Sequence, residues 1–417
     1  MRLELFIANK LQSSRTDKAS RSAVSTLNVA VVGMILAIVI MVVSVAVVTG
    51  FKQTIISKIG NLDSHIKVYN HPYEFDETPR SSISFSEELE KIISPKTDKR
   101  IRSANLIGEI PCVLKSPNGF AGLRFKGVPD NYDLSFLSSC LTAGKSDIRS
   151  HGVLISQSTA DKLNIRTGER IDIYFMNEQK IKMRRCTVNG IFNTDFDDYD
   201  AYVMVGNLEV LQSVNRWPEN TASYIEVKCN SMDDIDLVCS HLIDEIDKEA
   251  ADYTSTLSGI FQISTIRDNN PTHFAWLDLL NTNIVVILIL MMCVACFSII
   301  ACLIIVVLNK ISTIGILKAL GATNRNIRHI FIIIVMKIIV RAMVVGNGIA
   351  LLLLLLQRHF HLIELDAKSY FMHYVPVEIG YWIVPLNLGI LIVSFLALLV
   401  PSFIIASIKP AKTIRFE

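Results

Sequence analysis

The chain has 417 residues, with 41 Lys and Arg against 39 Asp and Glu, 51% hydrophobic residues and a mean hydropathy of +0.40. So much apolar surface excludes a disordered chain. Charged residues make up 19%, below the quarter or so usual in a soluble globule. The net charge of +2 excludes little as a sum. Its division excludes more: residues 52–278 carry 25 basic and 33 acidic residues, and the rest of the chain carries 16 and 6.

In residues 1–22, Leu3, Phe6, Ile7 and Leu11 recur at helical spacing and predict a short helix in the cytoplasmic membrane interface. Ser22–Phe51 then runs 30 residues without a charge. A bilayer core of about 30 Å needs about 20 apolar residues of helix, so residues 23–50 are read as transmembrane helix 1. The apolar core is too long for a cleaved signal peptide, and no small-residue cleavage site follows it. Phe51, Ile55, Ile56 and Ile59 continue the stripe to Gly60, as a helical stalk would.

Residues 51–278 have the composition of a soluble α+β domain. Strand patterns fall at His65–Tyr69, Ile110–Lys115, Val153–Ser156, Ile171–Phe175, Lys182–Ile191, Tyr202–Val205 and Ser223–Lys228. Helix patterns fall at Ser158–Leu163, Asn207–Val214 and Ser231–Ala250, the last with Ile235, Val238, Cys239, Leu242, Ile243 and Ile246 on one face. The strand pattern restarts after the polar segment 70–99, which predicts two lobes. Phe274, Leu277, Leu280 and Ile284 form a second stalk leading into transmembrane helix 2, 279–308, inside an uncharged run of 31 residues. A cytoplasmic loop follows at 309–329. Helix 3 covers 330–357, an outer loop 358–378, helix 4 379–408, and a tail 409–417.

Basic residues set the orientation. Arg2, Lys10, Arg15, Lys18 and Arg21 precede helix 1; Lys310, Lys318, Arg325 and Arg328 lie in the middle loop; Lys409, Lys412 and Arg415 lie in the tail. Both termini are therefore expected in the cytoplasm. The fold class is a polytopic α-helical membrane protein with four transmembrane helices and a large α+β extracytoplasmic domain between helices 1 and 2. Lys337 and Arg341 share a face of helix 3. They are read as snorkelling from its inner end, the sharper alternative being a contact with a cytoplasmic partner subunit or lipid phosphate.

Catalytic patterns are lacking. Gly144-Lys145-Ser146 looks like the end of a P-loop, but the position that needs the first glycine holds Ser139. Asp195, Asp197, Asp198 and Asp200 are not spaced as an EF-hand and read as a solvated turn. His359, His361 and His373 give a weak metal signal. Cys112, Cys140, Cys186, Cys229 and Cys239 are an odd number in the outer domain and read as apolar fillers. No metal or catalytic residue is assigned, and any energy must come from another subunit.

The most specific stretch is Asn309–Phe331, N-K-I-S-T-I-G-I-L-K-A-L-G-A-T-N-R-N-I-R-H-I-F. It reads as a short helix ending at Gly321, with a new helix starting near Thr323. A short helix on a tight turn suits a partner's groove. The stretch closely resembles the coupling segment of FtsX/MacB-type ABC permeases. Further stretches resemble the LolC/LolE lipoprotein-releasing permeases within that family: S-V-A-V-V-T-G-F ending helix 1, Leu154–Asp172, Val188–Val205, and the tail P-S-F-I-I-A-S-I-K-P-A-K-T-I-R-F-E.

The resemblance implies a permease subunit, not an enzyme, in the bacterial inner membrane. Lys310, Ile311, Ile314, Gly315, Leu317, Lys318, Gly321 and Arg325 would couple to a separate LolD-like ATPase. That partner would bind ATP and Mg, this chain binding no cofactor. A second permease chain, identical or not, would pair around a cavity assigned to Met34, Ile38, Met41, Val45, Ile284 and Leu288. The cargo would be a lipoprotein passed to a periplasmic chaperone, with no nucleic acid involved. The LolC type carries a long hairpin that catches the chaperone; here Phe175–Lys180 turns round at once. Alternatives are a MacB-like exporter of peptides or drugs with a periplasmic adaptor, and FtsX-like signalling to a cell-wall hydrolase.

Overall fold

The computed structural model describes residues 20–71, 82–177, 180–251 and 260–402. Nearly all of the expected interfacial helix at 1–22, and the whole tail at 409–417, lie outside these residues. The described chain forms two compact units. Among the described residues, one draws on 20–53, 276–364 and 374–402, the other on those within Thr54–Ala275 and Leu365–His373.

In chain order, α1 (Ser20–Leu62) is followed by β1 (Ile66–His71), β2 (Ile83–Ser84), α2 (Glu87–Ile93), β3 (Ile101–Ser116) and β4 (Gly119–Val128). Then come α3 (Ser135–Ser139), β5 (Leu141–Gly144), β6 (Gly152–Ser156), α4 (Gln157–Leu163), β7 (Arg170–Asn177), β8 (Lys180–Phe192) and α5 (Asp197–Asp200). The domain continues with β9 (Val203–Asn207), α6 (Leu208–Asn215), β10 (Thr221–Ala222), β11 (Tyr224–Cys229), α7 (Ile235–Ala251), β12 (Ile260–Thr265) and α8 (Ile266–Asn269). The chain then runs through α9 (Pro271–Leu308), α10 (Ile311–Ala319), α11 (Asn324–Phe360), α12 (Ala367–Tyr370) and α13 (Ile383–Ser402).

The first unit is helical. α1, α9 and α11 have 43, 38 and 37 residues and are long and apolar enough to cross a membrane. At 1.5 Å per residue, 38 residues span about 57 Å, almost twice a bilayer core. Each of the expected stalk stripes is therefore continuous with its membrane helix. The fourth run starts later than expected: α13 begins at Ile383 because residues 380–382 form a turn, in which Gly380 O accepts from Ile383 N; the end of the expected helix, 403–408, lies outside the described residues. The described residues thus hold three helices of spanning length and one 20-residue apolar helix.

α11 buries Ile327, Phe331, Ile334, Ile339, Ala342 and Gly346 at helical spacing. Gly346 lets α1 come close, since an added Cβ would stand 3.1 Å from Ile38 Cβ. α11 and α13 are also tied by two amides. Asn347 Nδ2 donates to Asn387 Oδ1 at 2.7 Å and Asn387 Nδ2 to Asn347 Oδ1 at 3.0 Å, and both amides also reach carbonyls on their own helices. Such a pair satisfies polar groups that hydrocarbon cannot.

The second unit is built on ten strands ordered β12-β1-β11-β3-β4-β9-β6-β8-β5, with β7 bridging β3 and β8. β3, β4, β9, β6, β8 and β7 therefore close on themselves as a six-stranded ring, leaving no free edge among these strands. Alternate residues fill the ring, including Leu114, Phe125, Ile173, Phe175, Val188 and Met204. The two-lobed expectation has a simple cause. β3 is 16 residues long; its first half pairs with β11 and its second half with β4 and β7. That first half, I-R-S-A-N-L, lacks clean alternation, so the sequence pattern finds only Ile110–Lys115. The α7 stripe is narrower than expected, because Ile243 is exposed while Ile235, Val238, Leu242 and Ile246 are buried.

Candidate functional site

The turn between α9 and α11 has a defined geometry. α10 ends where Gly321 takes φ +90°, in the left-handed region that favours glycine. Gly321 N and Ala322 N return to Lys318 O and Leu317 O, each at 3.0 Å, closing the helix end as a C-terminal cap does. Thr323 Oγ1 accepts from Asn326 N and starts α11. Of the residues assigned to coupling, Ile314 and Gly315 are buried, Ile314 in the helix core with Ile327 and Phe331. These two seat α10 and do not face outward. Lys310, Ile311, Leu317 and Lys318 are half-buried, and Gly321 and Arg325 are exposed.

Two residues that were not assigned make the outward face. Ile316 and Leu320 are 55% and 79% exposed. They stand four apart, Ile316 on α10 and Leu320 at its C-cap, so the signal available in the sequence was their i, i+4 spacing opposite Ile314. Together they form an apolar knob beside a basic turn.

The residues assigned to a cavity divide in the same way. Met34, Ile38 and Met41 are buried in this chain's own helix core, so they do not line an open face. Val45, Ile284 and Leu288 are half-buried. The open face of α1 is instead Val29, Val32 and Leu36, and that of α9 includes Val285, Val286, Ile289 and Phe297. Only 11% of the most apolar stretch of α9 is buried, against 33% for α1 and α11. α9 thus carries the most uncovered apolar surface of the three.

In the second unit, the far ends of the two stalks meet in a polar joint. Lys126 Nζ donates to Leu62 O at 3.1 Å and Lys228 Nζ to Asn61 O at 3.4 Å. Two cations thus cap the negative end of α1. Lys126 is buried with Glu226, Nζ to Oε1 3.6 Å, and Ser64 Oγ donates to the same Oε1 at 2.7 Å. Burial alone would discharge both groups. Against that burial, Lys126 and Lys228 hold the Glu226 carboxyl below its ordinary range, and Tyr132 and Glu226 hold the Lys126 ammonium above its own. Asp63 bridges to the second stalk: Asn270 Nδ2 donates to Oδ2 at 3.0 Å, while Lys67 Nζ lies 2.8 Å from Oδ1. Burial pushes the Asp63 carboxyl up, but Lys67 and Lys126 outweigh it and bring it down to about 2. Beside the joint lies a cavity of about 430 Å³, lined by Asp63, Lys67, Glu109 and Arg124 among others. These four charges are matched within the chain as Asp63–Lys67 and Glu109–Arg124.

The acidic run is only partly the solvated turn expected of it: Asp197 and Asp198 are exposed, but Asp195 is half-buried. Asp200 is buried and accepts from Thr194 N and Thr194 Oγ1 at 2.9 and 2.7 Å. Burial pushes its carboxyl up to about 6, against those two bonds and with help from Asp195 and Asp197. Among the described residues, no cluster of His, Cys, Asp and Glu has metal-binding geometry. Cys112 and Cys186 are buried in the ring, and burial pushes both thiols up to about 12.

A family profile described as the MacB-like periplasmic core domain matches residues 29–242, half of the chain, and one described as FtsX-like permease C-terminal matches residues 285–410. The chain belongs to the FtsX/MacB/LolC-type family of ABC transporter permeases. The permease is 22% identical over 406 residues to the lipoprotein-releasing system transmembrane protein LolC of Xylella fastidiosa strain 9a5c, with 93% of each chain covered. It is 20% identical over 417 residues to the LolC protein of Neisseria meningitidis serogroup B, covering 93% of this chain and 94% of the other. The periplasmic region of MacB from Actinobacillus actinomycetemcomitans is similar at 15% identity, covering 52% of the permease and 95% of that chain, with a TM-score of 0.32. That likeness is too distant to add to the fold described above. Permeases of this family work with an ATPase partner, and the uncovered knob on α10 lies inside the FtsX-like match.

Proposed function

We propose that the permease releases lipoproteins from the bacterial inner membrane, driven by a separate cytoplasmic ATPase. The observation that carries this reading is the similarity to LolC proteins along 93% of both chains. The ATPase seats on Ile316, Leu320 and the basic turn at Arg325, and binds the ATP and Mg that this chain does not. The apolar run 379–408, which contains α13, supplies the fourth crossing, with both termini in the cytoplasm. A second permease chain covers the open face of α9. The energetics require an engine: each buried CH₂ holds an acyl chain by about 0.8 kcal/mol, so a 16-carbon chain is held by about 12 kcal/mol.

The handover differs from that of a permease with a long capture hairpin. β7 and β8 pair up to Asn177 and Lys180, with two residues of chain between them. A periplasmic chaperone, or an adaptor as in a MacB-like exporter, must therefore be met by another surface.

Depletion of the permease decides the cargo. Lipoproteins destined for the outer membrane are expected to accumulate in the inner-membrane fraction. Unchanged sorting, with no lipoprotein co-purifying, sinks the release reading and leaves the exporter.

A further inference from the structure

Residues 365–373 join α11 to α13 in sequence, yet they belong to the second unit with the folded domain. One lysine reaches this segment. Lys58, on α1, donates from Nζ to Phe371 O at 2.7 Å and to Thr194 O at 2.9 Å, and lies 3.9 Å from Asp195 Oδ2. An ammonium with three donors suits such a junction. The same Asp195 Oδ2 stands 3.1 Å from His373 Nε2. On the second stalk, His273 Nε2 stands 3.3 Å from Asp198 Oδ2.

Three rings fill the space between these pairs. Phe196 lies 4.7 Å from Phe371 and 5.0 Å from His273, and Phe371 lies 6.0 Å from His273, centroid to centroid. Phe196 is buried. Asp200 pins the base of this loop through Thr194. Asp195 and Phe371 sit at φ 55° and 59°. A non-glycine residue holds such a conformation only where its surroundings over-determine it.

We propose that this cluster is a strut: Lys58 and the loop 194–198 bind the segment 365–373 to both stalk helices, so that stalk movement is delivered to the segment shared by α11 and α13. The strut rests on the reading that the permease is driven by an ATPase. It stays closed through the cycle, as a rigid link must.

Hydrogen–deuterium exchange on the full chain in lipid nanodiscs tests the link without reference to cargo. Lys58→Met and Asp195→Asn are each expected to raise exchange across 365–373 at least tenfold, with the ring strands unchanged. Wild-type exchange in both variants overturns the strut. A second arm tests whether the cluster opens. Phe196→Cys and Phe371→Cys are bridged in cells by a short bis-methanethiosulfonate, with the wild type treated alike. The bridged protein is expected to keep working while Lys58→Met loses sorting activity. A bridged protein that is inactive until reduced overturns the strut. If depletion of the wild type leaves sorting intact, the cargo reading falls alone, and the exchange arm still decides the strut.

Discussion

Leu320 is 79% exposed and Gly321 beside it holds φ +90°, so single substitutions there separate contact from shape. Leu320→Glu removes apolar surface without disturbing the core. The expected result is loss of ATPase co-purification with an unchanged melting temperature. Gly321→Ala forces a Cβ into the left-handed region at a cost of about 1–2 kcal/mol. It should weaken both ATPase binding and local stability. Two carboxyls give opposite pH signatures. Asp63 titrates near 2 when folded, below its unfolded value. Its contribution is present above that unfolded value and is lost as the pH falls towards 2, at about 1.4 kcal/mol per unit. Asp200 titrates near 6, so the folded state favours its proton. Stability is greatest below its unfolded value and falls as the pH rises through 6, by up to about 3 kcal/mol at neutrality. Asp200→Asn can still accept from Thr194 N while donating to Thr194 Oγ1. Thermal melts of the full chain at pH 5 and pH 8 should therefore converge in this variant; an undiminished gap would refute the assignment.

Among the elements, the two asparagines of α11 and α13 are the most testable. Each lies alone in an apolar run and is visible in the sequence as a polar interruption, but its partner is not. Replacing one leaves the other amide facing hydrocarbon, so Asn347→Leu should cost about 1 kcal/mol. The double variant with Asn387→Leu should recover part of that loss, as measured by denaturant titration in detergent. α1 shows what helical periodicity can deliver. Its apolar run and its stalk stripe both use 3.6-residue spacing, so the continuous helix to Leu62 was legible. The start of α13 was not. Residues 379–382, Ile-Gly-Tyr-Trp, carry no charge to interrupt the run, and hydropathy does not see the turn at Gly380. The first half of β3, and β12, were missed for a related reason: their hydrogen bonds go to distant strands, and that half of β3 carries no alternation to advertise them.

For the whole molecule, the weak net charge divides into a domain of −8 and a remainder of +10. Within the domain, the same charges turn inward as well as outward. Removing one member of the buried pair Lys126–Glu226 leaves the other uncompensated, and Lys126→Met should cost about 3–5 kcal/mol. Because Lys126 also caps α1, protease sensitivity of the stalk joint should rise with it. A variant with wild-type protection would show that the joint does not depend on this pair.

By itself the sequence determined the membrane runs, the inserted α+β domain, the helix–Gly–helix turn and the family. All of these rest on local spacing: 3.6-residue or two-residue periodicity, capping residues, or uninterrupted hydropathy. Only the tertiary structure decided which side of each helix is open. It buried Ile314, Met34, Ile38 and Met41, left Ile316 and Leu320 outside, and turned an apparently solvated acidic run into partners for Lys58, His273 and His373. The physical reason is that burial and ion pairing join residues far apart in the chain. Lys58 meets Phe371 across 313 positions, a separation at which sequence pattern carries no trace of contact.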